Sequence, residues 1–84
     1  MHGRPMLVEF VTEGGRTLYS QHLSTDVLPA VGQQVAFCHT TYTHGWTVLR
    51  LAHRFLVDQR NVLQEHALVV YLHEQEELWV YKPE

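Results

Sequence analysis

The chain has 84 residues, of which 45% are hydrophobic and 18% are charged, and its formal charge at pH 7 is −3. A chain of this size leaves about 5,200 Å² exposed, enough for one small core, so residues 1–84 are predicted to form a single domain. The composition excludes a disordered chain, and no apolar run approaches the ~20 residues of a membrane-spanning helix, so we expect no membrane partner. A lone Cys38 and the lack of a signal-peptide apolar region predict a cytoplasmic location.

The first predicted element is a β-hairpin. Residues 6–11 alternate apolar and other residues with period 2, and residues 17–22 form the return strand. Residues 13–16 (EGGR) connect them, and glycine accepts the positive φ angles of a tight reversal at low cost.

A third strand is predicted over residues 34–40. Before it, residues 24–26 either cap a short helical turn or begin a loop, and Pro29 ends any helix there. After it, the polar residues 41–45 predict a loop that carries Tyr42.

A long hairpin is predicted in the second half of the chain. Residues 46–57 and 62–73 are two apolar-rich segments, and residues 58–61 (DQRN) between them favour a turn because Asp and Asn side chains bond nearby backbone groups. The alternative is a loop or short helix over residues 58–65, with Asp58 as its N-cap.

The hairpin interpretation also predicts a register. With Val57 opposite Val62, the two numbers of every partner pair add up to 119. The resulting pairs include Arg54 with Glu65, His53 with His66, Leu51 with Leu68 and Leu49 with Val70. The face expected to point into the core carries Leu49, Leu51, His53, Phe55 and Val57, opposite Val62, Gln64, His66, Leu68, Val70 and Leu72.

A turn over residues 74–77 leads into a last strand at 78–82, which gives about six strands. Such a chain is predicted to be all-β, a small antiparallel barrel or strongly bent sheet, because closure removes exposed strand edges. Residues 28–35 (LPAVGQQV) followed by residues 45–48 (GWTV) resemble the opening of many SH3-like small barrels. The resemblance covers about a quarter of the chain and implies a fold, without a function to carry over.

Motifs of common enzyme classes are absent, including the P-loop, GxGxxG, HExxH, CxxC and GxSxG. Cys38 and His39 are neighbours, but adjacent residues of a strand point to opposite faces, so the thiol lacks a base within reach. We therefore expect no enzyme, no cofactor and a small, partly buried thiol at Cys38.

Histidines form the first candidate site. The predicted register places His53 and His66 opposite each other, and His39 lies on a neighbouring apolar face behind Phe37. Three imidazoles meeting at one barrel end would suit zinc, with a fourth position left for water. A pair that responds to protonation is the other interpretation, because two charged imidazoles would repel each other.

An aromatic and arginine surface is the second candidate site. Its predicted members lie in loops or away from the core face: Tyr42, Trp46, Arg50, Arg54, Tyr71, Trp79 and Tyr81. Trp, Tyr and Arg are enriched at protein interfaces, which predicts a binding or assembly module that engages a protein partner or forms a homodimer. Stacking on the same rings could bind single-stranded nucleic acid, although the net charge of −3 disfavours phosphate contacts.

Overall fold

A computed structural model describes residues 4–74 and 77–80, and of Tyr42 and 77–80 it describes the backbone alone. The strands are β1 (Pro5–Thr12), β2 (Thr17–Ser24), β3 (Gln34–Cys38), β4 (Tyr42–Val57), β5 (Leu63–Leu72) and β6 (Glu77–Val80). One 3-10 turn over Thr25–Val27 follows β2, with Ser24 as its N-cap, which confirms the short helical turn as the correct alternative. No helix within the described ranges is long and apolar enough to cross a membrane.

The strands form one mixed sheet that curls into a half-barrel, which confirms the predicted all-β class. Five strands lie in the order β2-β1-β5-β4-β3, and β6 pairs with the first residues of β4. The pairing of β1 with β5 is parallel, with Leu7 opposite Ala67 and Thr12 opposite Leu72. The N-terminal hairpin is thus attached to the long hairpin by a parallel contact.

Side chains connect the two ends of the curled sheet. No backbone ladder between β2 and β3 occurs in the described part of the chain. Instead, the Tyr19 ring of β2 lies against the Phe37 ring of β3, with 4.3 Å between centroids. Phe10 of β1 meets the same Phe37 ring edge-on at 5.3 Å. The seam of the half-barrel is therefore aromatic.

Both predicted hairpins are confirmed, and both use the same turn. In the first, the Gly15 N–H donates to the Thr12 carbonyl at 2.9 Å and Gly15 has φ +92°. In the second, the Asn61 N–H donates to the Asp58 carbonyl at 3.0 Å and Asn61 has φ +62°. A type I turn followed by a left-handed residue is a common three-residue hairpin loop, and Gly and Asn are the residues that tolerate it. The alternative helix over residues 58–65 is excluded.

The predicted register of the long hairpin is wrong by two residues. Along most of β4, partner numbers add up to 121, so Phe55 lies opposite His66 and His53 opposite Leu68. The physical reason is the turn: the Asp58 N–H donates to the Val62 carbonyl, so Asp58, and not Val57, is the residue that closes the loop. The turn shifts the register by one residue, and a bulge at Gln64 on β5 shifts it by the second.

A second bulge, at Leu49, decides which β4 residues are in the core. It reverses the inward and outward alternation, so Trp46 and Val48 point into the core before it. The buried core cluster consists of Val8, Phe10, Trp46, Val48, Leu68, Val70 and Leu72. The core positions predicted on β5 at 68, 70 and 72 are confirmed, whereas Leu51, Phe55 and Val57 are exposed and correct the prediction for β4.

The predicted loop over residues 41–45 is also wrong, because β4 begins at Tyr42. Thr43 pairs with Cys38 on β3 and with Trp79 on β6 through the backbone, so this segment is a central strand. Its polar composition is typical of loops, but two flanking strands satisfy its backbone groups, and Thr43 itself is buried.

Candidate functional site

The outer part of the long hairpin, residues 51–66, extends beyond the rest of the sheet, and we call it the hairpin arm. β1 pairs with β5 only from Ala67 onward, and β3 pairs with β4 only up to Thr47. Within the described residues, the two strands of the arm therefore have no strand neighbour except each other.

The hairpin arm is exposed although it is rich in apolar residues. Of its sixteen residues only Ala52 and His66 are partly buried, and the others are exposed. The large apolar side chains and their exposed fractions are Leu51 38%, Phe55 54%, Leu56 56%, Val57 49%, Val62 51% and Leu63 55%. Single exposed apolar residues are ordinary on a protein surface, but a contiguous group marks an interaction site.

One face of the hairpin arm continues the core face of the sheet, and we call it the arm face. Alternation along β4 places Leu51, His53, Phe55 and Val57 on this side, and the pairing adds Leu63 and His66 from β5. No Asp, Glu, Lys or Arg belongs to it. The opposite face carries Leu56 together with the charged Arg54 and Glu65.

The arm strand of β4 also has an unpaired edge in the described structure. The Asp58 N–H points to β5. Backbone groups alternate along a strand, so the N–H and C=O groups of Leu56 and Arg54 also point to β5. The backbone groups of Phe55 and His53 then point away from β5, to a side where no described strand pairs with this half of β4. Neither Pro nor Lys protects this edge.

Two histidines of the arm face are hydrogen-bonded to each other. His53 Nδ1 and His66 Nε2 are 2.8 Å apart, so one ring donates a proton and the other accepts it. Phe55 lies against both rings, with centroids 4.5 Å from His66 and 6.2 Å from His53. The two histidines predicted as a pair are thus together, although they are diagonal neighbours and not direct partners across the strands.

The structure places His39 elsewhere. His39 follows β3, where its Nε2 lies 3.4 Å from the Tyr19 hydroxyl and its ring meets His44 edge-on at 5.5 Å. β3 pairs with the first residues of β4, whereas His53 lies on the arm beyond them. Among the described residues no three His, Cys, Asp or Glu side chains are arranged to hold a metal ion. The predicted three-histidine metal site is therefore not formed.

The predicted aromatic and arginine surface is largely engaged within the protein. Trp46 is 5% exposed and belongs to the core, so its inclusion in the surface is corrected by the bulge at Leu49. The Arg50 guanidinium lies 4.0 Å from the centre of the Tyr71 ring in a cation–π contact. Arg54 forms ion pairs with Glu9 and with Glu65.

Three members of that surface cannot be placed. The side chains of Tyr42 and Trp79 and the whole of Tyr81 lie outside the described residues.

Cys38, expected to be partly buried, is exposed at the end of β3.

The sequence signal for the hairpin arm is a loss of alternation around the turn. Residues 55–57 (FLV) and 62–63 (VL) are continuous apolar runs on either side of the turn. Such runs are typical of strands covered on both faces, whereas here both faces are open.

Comparisons with known proteins give no relative for this chain. No protein-family model, no curated protein and no solved structure matches it.

Proposed function

We propose that the protein is a non-enzymatic assembly module that forms a homodimer by packing its arm face against the arm face of a second copy. The observation that carries this proposal is the exposed apolar surface of the hairpin arm. Leu51, Phe55, Val57 and Leu63 lie together on one face without covering elements in the described structure. Removing such side chains from water is the main driving force of association.

The partner inferred is a second copy because the arm face is complementary to itself. In a two-fold dimer each surface meets its own copy, so a face with fixed charges of one sign would repel its partner. The arm face has no Asp, Glu, Lys or Arg, and its two histidines are hydrogen-bonded to each other.

This proposal moves the interface from the aromatic and arginine surface to the arm face. Arg54 has two carboxylate partners and Arg50 covers Tyr71, so a new partner would have to compete with existing contacts. The same contacts weaken the case for single-stranded nucleic acid, because phosphates would have to displace the carboxylates from Arg54.

The test is the oligomeric state of two matched variants. We expect the wild-type chain to behave in sedimentation equilibrium as a species of about twice 9.8 kDa and Phe55→Glu to be monomeric. Burial of one Phe side chain contributes about 1.5–3 kcal/mol, and a two-fold dimer buries Phe55 of both copies. The dissociation constant of Phe55→Glu should therefore be at least ~100-fold higher than that of the wild type.

The matched control is Leu56→Glu. Leu56 is the next residue, is exposed to nearly the same extent (56% against 54%), and points to the opposite face of β4. The Leu56→Glu substitution adds the same charge to the same strand as Phe55→Glu and should leave the dimer intact. A monomeric wild type at 100 µM, or equal disruption by both variants, would refute the proposal. A wild type that is monomeric but shifts a fluorescent oligonucleotide at low salt would support nucleic-acid binding in its place.

The hydrogen bond between His53 and His66 supports a second proposal, that the hairpin arm responds to acidification. Imidazoles ordinarily take up protons between pH 7 and pH 5. When both rings are protonated neither nitrogen can accept, and two positive charges face each other at 2.8 Å. Arg4, His22 and Glu65 line a cavity together with His66.

This proposal predicts that His53→Ala reduces the loss of stability on acidification. The hydrogen bond between the rings needs one ring that is neutral and can accept, so acidification is expected to break this contact of the folded state, and stability should fall with it. Between pH 7 and pH 5, wild type should lose about 1 kcal/mol more than His53→Ala in urea denaturation. His73→Ala, which removes a histidine at the other end of β5, serves as the control and should behave as wild type. Equal losses in wild type and His53→Ala would exclude the proposal.

A further inference from the structure

We infer that the seam of the half-barrel contains a binding site for a small planar aromatic anion, independent of the arm face. A cavity of about 300 Å³ lies where β2 approaches β3, at the end of β4 away from the hairpin arm. The side chains that matter for binding are Arg16, Tyr19, Phe37, His39, His44 and Trp46. This volume is at the lower end of the range for small-molecule sites.

Aromatic rings form part of the lining of the cavity. Tyr19 packs against Phe37 at 4.3 Å, and Trp46, which also lines the cavity, is buried. Tyr19 is nevertheless 42% exposed, so part of its ring is accessible to a ligand. Stacking of a planar ring on such a side chain contributes about 1–3 kcal/mol, as measured for nucleic-acid bases.

Arg16 gives the lining of the cavity a positive charge. Within the described residues its guanidinium has no hydrogen bond or ion pair, and the imidazoles of His39 and His44 lie near each other. None of the described residues that line the cavity is Asp or Glu. A guanidinium with free donors binds carboxylate or phosphate through two parallel hydrogen bonds.

The aromatic and the cationic parts of the lining together define the ligand. An aromatic ring alone would leave Arg16 unpaired, and an anion alone would leave the Tyr19 ring in water. A small molecule that carries both groups, such as an aryl phosphate or a mononucleotide, satisfies both at once.

The experiment is an NMR titration of the labelled protein with phenyl phosphate, phenol and inorganic phosphate. We expect phenyl phosphate to shift the amide signals of Arg16, Tyr19 and His39, with at least ~10-fold weaker binding of phenol and of phosphate. AMP then separates the two sources of this chemistry, because its binding indicates a nucleotide and its failure indicates an aryl acid. No shift with phenyl phosphate at 5 mM would overturn the inference.

Two variants test the role of charge at the site. Arg16→Gln should weaken phenyl phosphate binding about 10- to 100-fold, since a charge-assisted hydrogen bond contributes about 1.5–3 kcal/mol. Arg60→Gln is the matched control: Arg60 lies at the tip of the hairpin arm, its side chain also has no partner, and the change in net charge is the same. Equal weakening by both variants would show an effect of net charge alone and would reject the site.

Discussion

Replacement of Trp46 by Ala is expected to lower the free energy of unfolding by about 3–5 kcal/mol, the largest loss for any single truncation considered for this chain. Trp46 is 5% exposed and belongs to the core cluster formed by β1, β4 and β5. Trp46 pairs with Val35 of β3 through the backbone. The truncation would therefore leave a cavity at the place where β3, the last strand of the sheet, is attached to β4. A domain of 84 residues has roughly 4–13 kcal/mol of stability in total, so this single loss removes a large part of it.

Urea denaturation followed by circular dichroism measures this loss, and two further variants make the result interpretable. Trp46→Phe keeps a ring in the core and should lose less than half as much, which gives a measurable value if the Ala variant does not fold. Leu56→Ala truncates an apolar side chain that is 56% exposed on the same strand and should cost less than about 1 kcal/mol. Similar losses for Trp46→Ala and Leu56→Ala would contradict the placement of Trp46 in the core.

The position of Trp46 shows what the sequence could and could not predict about β4. The periodicity correctly predicted a long strand that ends at Val57. It could not predict the extra residue at Leu49, because a bulge changes the backbone pairing without leaving a mark in the alternation of apolar residues. Since that one residue reverses the faces, the alternation predicts Trp46 on the surface although it is part of the core.

The connection between the two hairpins was beyond prediction for a different reason. Each hairpin is a local structure whose turn chemistry is visible at Gly15 and Asn61. The parallel contact of β1 with β5 joins residues about sixty positions apart, as in the pair Leu7 and Ala67. No turn residue encodes such a pairing, because it depends on which apolar faces can be buried together.

The candidate site was predicted in part. The pairing of His53 with His66 survived an error of two residues in the register, because a shift of two keeps both side chains on the same face. The exposure of Phe55 and its neighbours was not predicted, since alternation identifies an apolar face but not how far the sheet beneath it extends. The arm face was therefore mistaken for core.

Loss of the Arg54 guanidinium is the second large effect we expect, about 2 kcal/mol of unfolding free energy for Arg54→Met. Glu9 lies on β1 with 14% of its side chain exposed, and its Oε1 atom is closed off from solvent without a hydrogen bond of regular geometry. The ion pair with Arg54, which reaches from β4 across β5, is the contact that balances this carboxylate. Arg54 itself is 53% exposed, but its removal leaves the shielded carboxylate of Glu9 without an opposite charge, which costs more than the pair itself contributes.

A set of related variants separates this effect from a simple loss of packing. Methionine keeps an apolar stem, so the covering of the sheet by the long side chain is largely preserved. Glu65→Gln removes the second, more exposed partner of Arg54 (46% of its side chain is exposed) and should cost no more than about 0.5 kcal/mol. The double variant Glu9→Gln/Arg54→Met should recover most of the stability lost by Arg54→Met, because the only carboxylate left without Arg54 is then the half-exposed Glu65. If the double variant is less stable than Arg54→Met alone, the burial of Glu9 is not the cause. The role of Arg54 would then be to pack over β5.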